Sequence, residues 1–441
     1  MTIAAIATAP GGAIGIIRVS GPDAIRATNA IFSKDILCAK GYTLHYGNIA
    51  DIDSVLVSVF HTPHSYTGED CVEIACHGSS YILAKVMQLL FAQGVRQALP
   101  GEFTQRAFLN GKMDLSQAEA VADLIASKNE ATHRVALNQM RGAITNKLAD
   151  LRSRLLTITS LLELELDFSE EDVEFADRKE LTKLSHETLD EIEHLRQSFS
   201  SGNAIKNGIP VAIIGAPNVG KSTLLNQLLQ DDKAIVSDIQ GTTRDLIEDT
   251  ITLGGYLFRF IDTAGIRDTD DTIERLGIER TIKAANKAQV IILMSEAGVP
   301  YPTIETTPEQ YVIYVQNKVD KSENSPLIAT LDYPSTNISI SALLGNGIET
   351  LQESLIDHAH LICGELNEDN VLITNLRHKE ALDLASNDMQ RALQAIQSNL
   401  TGDLIAEDLR QCLTHLSEIL GTQITTDEVL GNIFKNFCIG K

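Results

Sequence analysis

Hydrophobic and polar positions follow different periods along the chain, and each period predicts a different kind of structure. In the first hundred residues, short β-branched runs at Gly15–Val19 and Val55–Phe60 predict strands, while Ser80–Phe91 reads as a helix. Residues 2–17 carry no charge, but Pro10-Gly11-Gly12 interrupts any helix and no basic run precedes them, so they predict a strand and a turn. From about Met113 the period lengthens. Leu148, Leu151, Leu155, Ile158 and Leu162 recur at alternating steps of three and four, the stripe that one side of a long helix presents. Leu181, Leu184, Leu189, Ile192 and Leu195 predict a second helix.

After residue 363 the helical period returns in Leu382, Ala385, Met389, Ala392 and Ile396, then in Ile405, Leu409, Cys412, Leu416 and Ile419, with Gly421 as the stop. Between these helical stretches lie apolar strands at Pro210–Gly215, Tyr256–Ile261, Tyr311–Val315 and Asn337–Ile340. The expected architecture is multidomain, α/β and all-α. A small α+β domain at 1–112 precedes a helical domain built from 113–205 and 363–441, into which an autonomous α/β domain at 206–362 is inserted.

Composition narrows the picture. A chain of 441 residues is long enough for several domains, each with its own core. No uninterrupted apolar run approaches the length that crosses a bilayer, so no membrane role is expected. The six cysteines (Cys38, Cys71, Cys76, Cys363, Cys412, Cys438) form no CxxC pair, which predicts reduced thiols in a cytoplasmic protein and neither a zinc site nor a disulfide framework. The net charge of −23 repels nucleic acid over most of the surface, so any RNA must be held with a basic partner or a local patch. The acidic run Glu163, Glu165, Asp167, Glu170, Glu171, Asp172, Glu174 reads as a solvated face.

Chemistry concentrates in the central domain. The strand Pro210–Gly215 runs directly into GAPNVGKS (Gly215–Ser222) and a helix, the strand–loop–helix setting of a phosphate-binding loop. Asn218, Val219, Gly220, Lys221, Ser222 and Thr223 face the nucleotide. The glycines let successive backbone N–H groups and the helix start point at the phosphates, Lys221 adds a mobile positive charge, and the Ser222 hydroxyl suits Mg²⁺. Three further segments follow in order. DTAG (Asp262, Thr263, Ala264, Gly265) ends a strand, where Asp262 can hold the Mg²⁺ hydration shell and the Gly265 amide can sense the γ-phosphate. NKVD supplies Asn317, Lys318 and Asp320. The Asp320 carboxylate accepts two hydrogen bonds from a guanine edge and none from adenine, a difference on the order of 10⁴ when the acceptor is buried. SAL (Ser341, Ala342, Leu343) completes the base site, and together these segments predict binding of GTP and GDP. Ile266 follows the DTAG segment, so the glutamine that orients water in Ras-like enzymes is missing.

The loop GTTRD (Gly241–Asp245), Asn218 of the phosphate loop, and the ending CIGK (Cys438–Lys441) resemble the MnmE (TrmE) family of tRNA-modification GTPases, within the TrmE-Era-EngA-like group. TGED (Thr67–Asp70), PGEFTQRAFLNGKMDLSQAEA (Pro100–Ala120) and GIERT (Gly277–Thr281) carry the same resemblance, which runs the length of the chain. It implies a GTP hydrolase that dimerises through its nucleotide domains around K⁺, held by Asn218, Ser237, Ile239 and Thr242. Ser237 stands where the family usually has Thr. Thr243 would join Ser222 on Mg²⁺, and Glu274 would orient the attacking water through a second water.

The resemblance further implies that the first domain binds a tetrahydrofolate derivative, 5-formyl- or 5,10-methylene-tetrahydrofolate, through Arg18, Glu73, Lys112 and Lys441, and mediates dimerisation. ATAPGGAIG (Ala7–Gly15) is shorter than the family's glycine-rich stretch. CIGK fits a prenylation box badly, and the resemblance gives Cys438 a redox or modification role, with a packed thiol as the alternative. The implied partner is an FAD-dependent protein, MnmG, in a heterotetramer that reaches tRNA as a complex and forms an aminomethyl or carboxymethylaminomethyl group on the wobble uridine. The alternatives are a regulatory GTPase switch in ribosome assembly or signalling, and a folate enzyme with a vestigial nucleotide domain.

Overall fold

The computed structural model of the chain describes residues 1–9, 11–167, 178–232, 249–261, 284–308, 310–321, 335–364, 371–398, 400–422 and 440. The chain divides into two compact units, one of Met1–Ala126, Ala136–Asp190 and Ala381–Lys441, the other of Ser127–Val135 and Glu191–Glu380.

The first unit opens with a six-stranded sheet of β1 (Ile3–Ile6), β2 (Ile14–Ser20), β3 (Thr43–Ile49), β4 (Asp53–Phe60), β5 (Cys71–His77) and β6 (Arg96–Gln97), in the order β3-β4-β5-β2-β1-β6. Every pairing is antiparallel except that of β1 with β6. The period of two along each strand sends Ile17, Ile74 and Val57 to a buried face covered by α1 (Ala24–Ile31) and α2 (Ser80–Ala92). Residues one step along, Arg18 opposite Glu73 and Glu73 opposite Ser58, therefore share the other face. Two further helices follow, α3 (Glu102–Leu109) and α4 (Leu115–Ala126), and Phe103 of α3 is fully buried with Ile3 and Ala5.

Next come α5 (Glu130–Met140), α6 (Ala143–Asp167) and α7 (Arg178–Asn207). The α6 stripe is as expected, with Leu148, Leu151, Leu155, Ile158 and Leu162 all buried. On α7 the buried row is Leu181, Ser185, Thr188, Ile192 and Leu195, whereas Leu184 and Leu189 are half-buried. The reason is phase: steps of four, three, four and three keep one face inward, and the Thr188 hydroxyl tolerates burial by donating to the Leu184 carbonyl at 2.7 Å.

The second unit is built on a sheet of β7 (Ile209–Gly215), β8 (Asp249–Leu253), β9 (Tyr256–Phe260), β10 (Val290–Glu296), β11 (Tyr311–Asn317) and β12 (Ser335–Ser339), in the order β12-β11-β10-β7-β9-β8. All pairings are parallel except that of β8 with β9. Alternate residues of β7 and β10 are buried on opposite faces, Val211 and Ile292 on one and Ala212 and Ile291 on the other, as a parallel sheet covered on both sides requires. Helices α8 (Lys221–Asp232) and α9 (Ile348–Cys363) belong to this unit. Successive strands leave β7 in opposite directions, so its carboxyl end lies at the switch point where α/β sheets bind ligands.

The last helices are α10 (Leu376–Gln397) and α11 (Gly402–Leu420), and α11 packs on α6. Ile405, Leu409, Cys412, Leu416 and Ile419 are buried, and Gly421 ends α11 in the left-handed conformation at φ 76°. Among the described residues no helix is long and apolar enough to cross a membrane, and no group of His, Cys, Asp and Glu could hold a metal ion. Cys38, Cys71, Cys76, Cys363 and Cys412 are free thiols.

Candidate functional site

At the carboxyl edge of the second sheet, β7 turns into residues 216–220 and then α8, so the helix start faces the loop. Two residues of this loop adopt positive φ. Asn218 stands at 61°, a conformation Asn tolerates better than most side chains, and Gly220 stands at 101°. Gly220 is fixed by its neighbour as well as its own backbone, because a Cβ there would lie 2.2 Å from the Asn317 Nδ2 atom.

Asn317 is the joint of the site. It ends β11, is 3 % exposed, donates from Nδ2 to the Val219 carbonyl at 2.8 Å, and accepts at Oδ1 from the Ala342 N–H at 2.9 Å. One side chain thus binds the phosphate loop to the segment after β12. Asp320 sits on a short 3-10 turn, Val319–Lys321, and accepts at Oδ1 from the Ser341 hydroxyl at 2.6 Å. Asp320 itself is exposed at the rim, unlike the buried carboxylate of the discrimination argument, because the turn carries it past the end of the sheet. Lys318 also has positive φ, 63°, and its ammonium pairs with the Glu296 carboxylate at the end of β10. Leu343 is 69 % exposed.

Lys221 turns back over the loop and donates to the carbonyls of Gly215 and Ala216 at 2.8 and 2.9 Å. Burial holds its ammonium below the usual lysine range, which leaves a poorly hydrated cation beside the helix start. Ser222 and Thr223 lie in the first turn of α8. The structure thus brings together Asn218 to Thr223, Asn317, Lys318, Asp320, Ser341, Ala342 and Leu343 at one sheet edge. Asp262, Thr263, Ala264, Gly265, Glu274, Ser237, Ile239, Thr242 and Thr243 lie outside the described residues.

A second constellation stands on the open face of the first sheet. Arg18 donates from Nε and Nη2 to the Glu73 Oε1 atom at 2.9 and 2.8 Å, and its guanidinium carbon lies 5.2 Å from the Tyr66 ring centre and 5.7 Å from that of Phe103. Glu73 is only partly buried, because its strand alternation points it away from the core. The Arg18 Nη1 atom donates to the Gly440 carbonyl at 3.3 Å, so the chain's penultimate residue lies beside the pair. Lys112 donates to the Pro63 carbonyl at 3.0 Å and packs on Gly68. Cys438 and Lys441 lie outside the described residues.

Sequence reasoning overlooked Tyr66 and Phe103. It also overlooked the ion pair from Arg106 to Glu69, which joins the TGED and PGEFTQRAF segments, and those of Glu102 with Arg106 and Arg96. Charge alternation within those segments was the available signal, but the partners lie 37 residues apart for Arg106 and Glu69. Glu296 was missed as well, although an acidic residue ending an apolar strand is visible in the sequence.

The profile described as "GTP-binding protein TrmE N-terminus" matches residues 2–112, and that of the "MnmE helical domain" matches residues 115–438. A protein of Bacteroides thetaiotaomicron called tRNA modification GTPase MnmE is 54 % identical over 464 aligned positions, covering 100 % of this chain and 99 % of that protein. Proteins of the same name from Parabacteroides distasonis and Flavobacterium johnsoniae are 53 % and 49 % identical, again over 100 % of this chain and over 100 % and 99 % of their own lengths. The solved FeoB G-domain from Methanococcus jannaschii aligns with 34 % of the chain and 96 % of its own length at 19 % identity and TM-score 0.23, too low to carry a structural inference. With a phosphate loop and base-recognition segments at one sheet edge, profiles spanning nearly the whole chain, and relatives of matching length, the chain belongs to the MnmE (TrmE) family of tRNA-modification GTPases.

Proposed function

We propose that the chain is a cytoplasmic, K⁺-dependent GTPase. As a homodimer with an FAD-dependent partner of the MnmG kind, it helps form the aminomethyl or carboxymethylaminomethyl group at C5 of the tRNA wobble uridine. The observation that carries the nucleotide half is the Asn317 amide, which ties the phosphate loop to the base segment through bonds of 2.8 and 2.9 Å. GTP then lies along the carboxyl edge of the sheet. Its phosphates meet the backbone N–H groups of the loop and the start of α8, and Lys221 exchanges the Gly215 and Ala216 carbonyls for the β- and γ-phosphates. The guanine edge donates to Asp320, which the Ser341 hydroxyl holds in place, and the purine itself supplies the burial that makes this contact selective.

The site suits the implied cations. Ser222 lies in the first turn of α8, and the left-handed Asn218 presents an exposed amide on the loop. Ser222 and Thr243 would hold Mg²⁺, and Asn218, Ser237, Ile239 and Thr242 would hold K⁺. When bound, both ions supply positive charge to phosphate oxygens on which negative charge grows during hydrolysis. Glu274 takes the water-orienting role.

In the first unit a partly exposed carboxylate paired with a guanidinium fits the donor and acceptor edge of a pterin, which supports a reduced-folate site around Arg18 and Glu73. Lys112 and Lys441 are the proposed cations for the rest of that ligand, and Cys438 the proposed thiol beside it. The folate, when bound, supplies the one-carbon unit. We further assign residues 1–112 to the folate-binding and dimerising domain, 113–205 and 363–441 to the helical domain, and 206–362 to the nucleotide domain.

Two measurements test this reading. GTP turnover should rise at least ten-fold when K⁺ replaces Na⁺, and equal rates would remove the cation from the mechanism. Mass spectrometry of tRNA nucleosides from a strain lacking the gene should show an unmodified wobble uridine. A normal nucleoside profile would overturn the modification reading and leave the regulatory switch and the folate enzyme with a vestigial nucleotide domain.

A further inference from the structure

Lys318 adopts a left-handed backbone at φ 63°, in which an L side chain other than Asn, Asp or Gly costs about 1–2 kcal/mol. Such a conformation persists only where its surroundings hold it. The holding groups are visible. The Asn317 carbonyl accepts from the Ala297 N–H at 3.0 Å, the Val319 N–H donates to the Ile340 carbonyl at 3.3 Å, and the Lys318 ammonium is paired with Glu296. Glu296 pairs in register with Asn317 across the parallel β10–β11 ladder, so the two side chains emerge at the same height of the sheet edge. Its own position is set from below. The buried Ser295 hydroxyl donates to the Val299 carbonyl at 2.6 Å, and the Val299 N–H donates to the Glu296 carbonyl at 3.0 Å, closing the turn after β10.

We propose that Glu296 is a positioning residue for guanine-nucleotide binding: it pins the Lys318 ammonium so that the methylene stem forms a fixed wall of the base slot beside Asp320. The inference rests on the guanine reading of Asp320 above. It assigns to Glu296 no contact with the nucleotide and no part in hydrolysis. Loss of the carboxylate frees the Lys318 stem, and nucleotide must then order a side chain that the apo protein otherwise holds in place. Glu296 and Lys318 are both partly exposed, so the pair lies in the range of surface ion pairs, and the loss of affinity is three- to five-fold.

The test is a double-mutant cycle on the full-length chain, read by the dissociation constant of a fluorescent GDP analogue and by kcat for GTP. Glu296→Gln should weaken GDP three- to five-fold with kcat within two-fold of the parent. Lys318→Met should weaken it further, and Glu296→Gln added to Lys318→Met should change nothing more. Raising ionic strength to about 1 M with choline chloride, at constant potassium, should shrink the Glu296→Gln effect below about 1.5-fold, since the Debye length falls to about 3 Å. Additive effects of the two substitutions, an effect insensitive to salt, or a fall in kcat at unchanged affinity would each overturn the assignment. A parent chain that binds no GDP would instead overturn the guanine reading itself.

Discussion

Replacing Gly220 by Ala tests whether Asn317 joins the two halves of the nucleotide site. The added methyl would start 2.2 Å from the Asn317 Nδ2 atom, whereas ordinary contact begins at 3.4 Å, so the amide must retreat by more than 1 Å. Such a move takes the bonds to the Val219 carbonyl at 2.8 Å and from the Ala342 N–H at 2.9 Å out of hydrogen-bonding range. Asn317 is 3 % exposed, so water cannot replace them, and each orphaned group costs about 1–3 kcal/mol. The backbone at φ 101° adds about 1–2 kcal/mol for any L side chain. With one orphaned group for each of the two bonds, the sum, about 3–8 kcal/mol, divides between stability and affinity. If half of it reaches binding, GDP affinity falls by roughly ten- to 800-fold.

Titration of a fluorescent GDP analogue measures that fall directly. Gly255→Ala is the control, because φ there is 85° but a Cβ meets nothing within 4 Å, and its GDP affinity should stay within about two-fold of the parent. A Gly220→Ala chain that binds GDP within three-fold of the parent would refute the role assigned to Asn317.

Two further outcomes follow from buried groups. His358 of α9 is 9 % exposed and stacked on Tyr311 with ring centres 4.2 Å apart, neither of its nitrogens has a partner among the described residues, and burial pushes its pKa down to about 4. The unfolded chain, with an ordinary histidine near 6.5, binds a proton first as pH falls. Stability is therefore lost from about pH 6.5 downward and levels off below about pH 4. The loss is about 2 kcal/mol by pH 5. His358→Phe should abolish that share, so hydrogen exchange of β11 and α9 amides should match the parent at pH 7.5 and be slower at pH 5; equal exchange at pH 5 would exclude the effect. At the chain end, Gly440 has φ 99° and a Cβ would lie 2.6 Å from the Ile6 carbonyl oxygen. Gly440→Ala should cost the contact with Arg18 and lower reduced-folate affinity at least ten-fold in equilibrium dialysis, with GTP turnover within two-fold of the parent; unchanged folate binding would separate the chain end from that site.

Period and local chemistry determined a good deal of this protein. The alternation of Val55, Val57 and Val59 and the stripe from Leu148 to Leu162 placed the strand and helix correctly, because each stripe is longer than the noise in any single position. The phosphate loop was legible for a similar reason: its glycines, Lys221 and Ser222 are adjacent in the chain, and their roles depend on local backbone geometry. The α7 stripe misled where small hydroxyl residues, Ser185 and Thr188, occupy the inward face, since hydropathy does not register that they are small enough to pack there or that the Thr188 hydroxyl is satisfied by its own helix. What the tertiary structure alone decided are contacts between distant segments. Asn317 meets Val219 across 98 residues, Arg18 meets Gly440 across 422, and Lys318 meets Glu296 only because parallel strands bring their ends to one edge. No period encodes such pairs, because strand order and register are set by the packing of whole elements and not by the residues that finally touch.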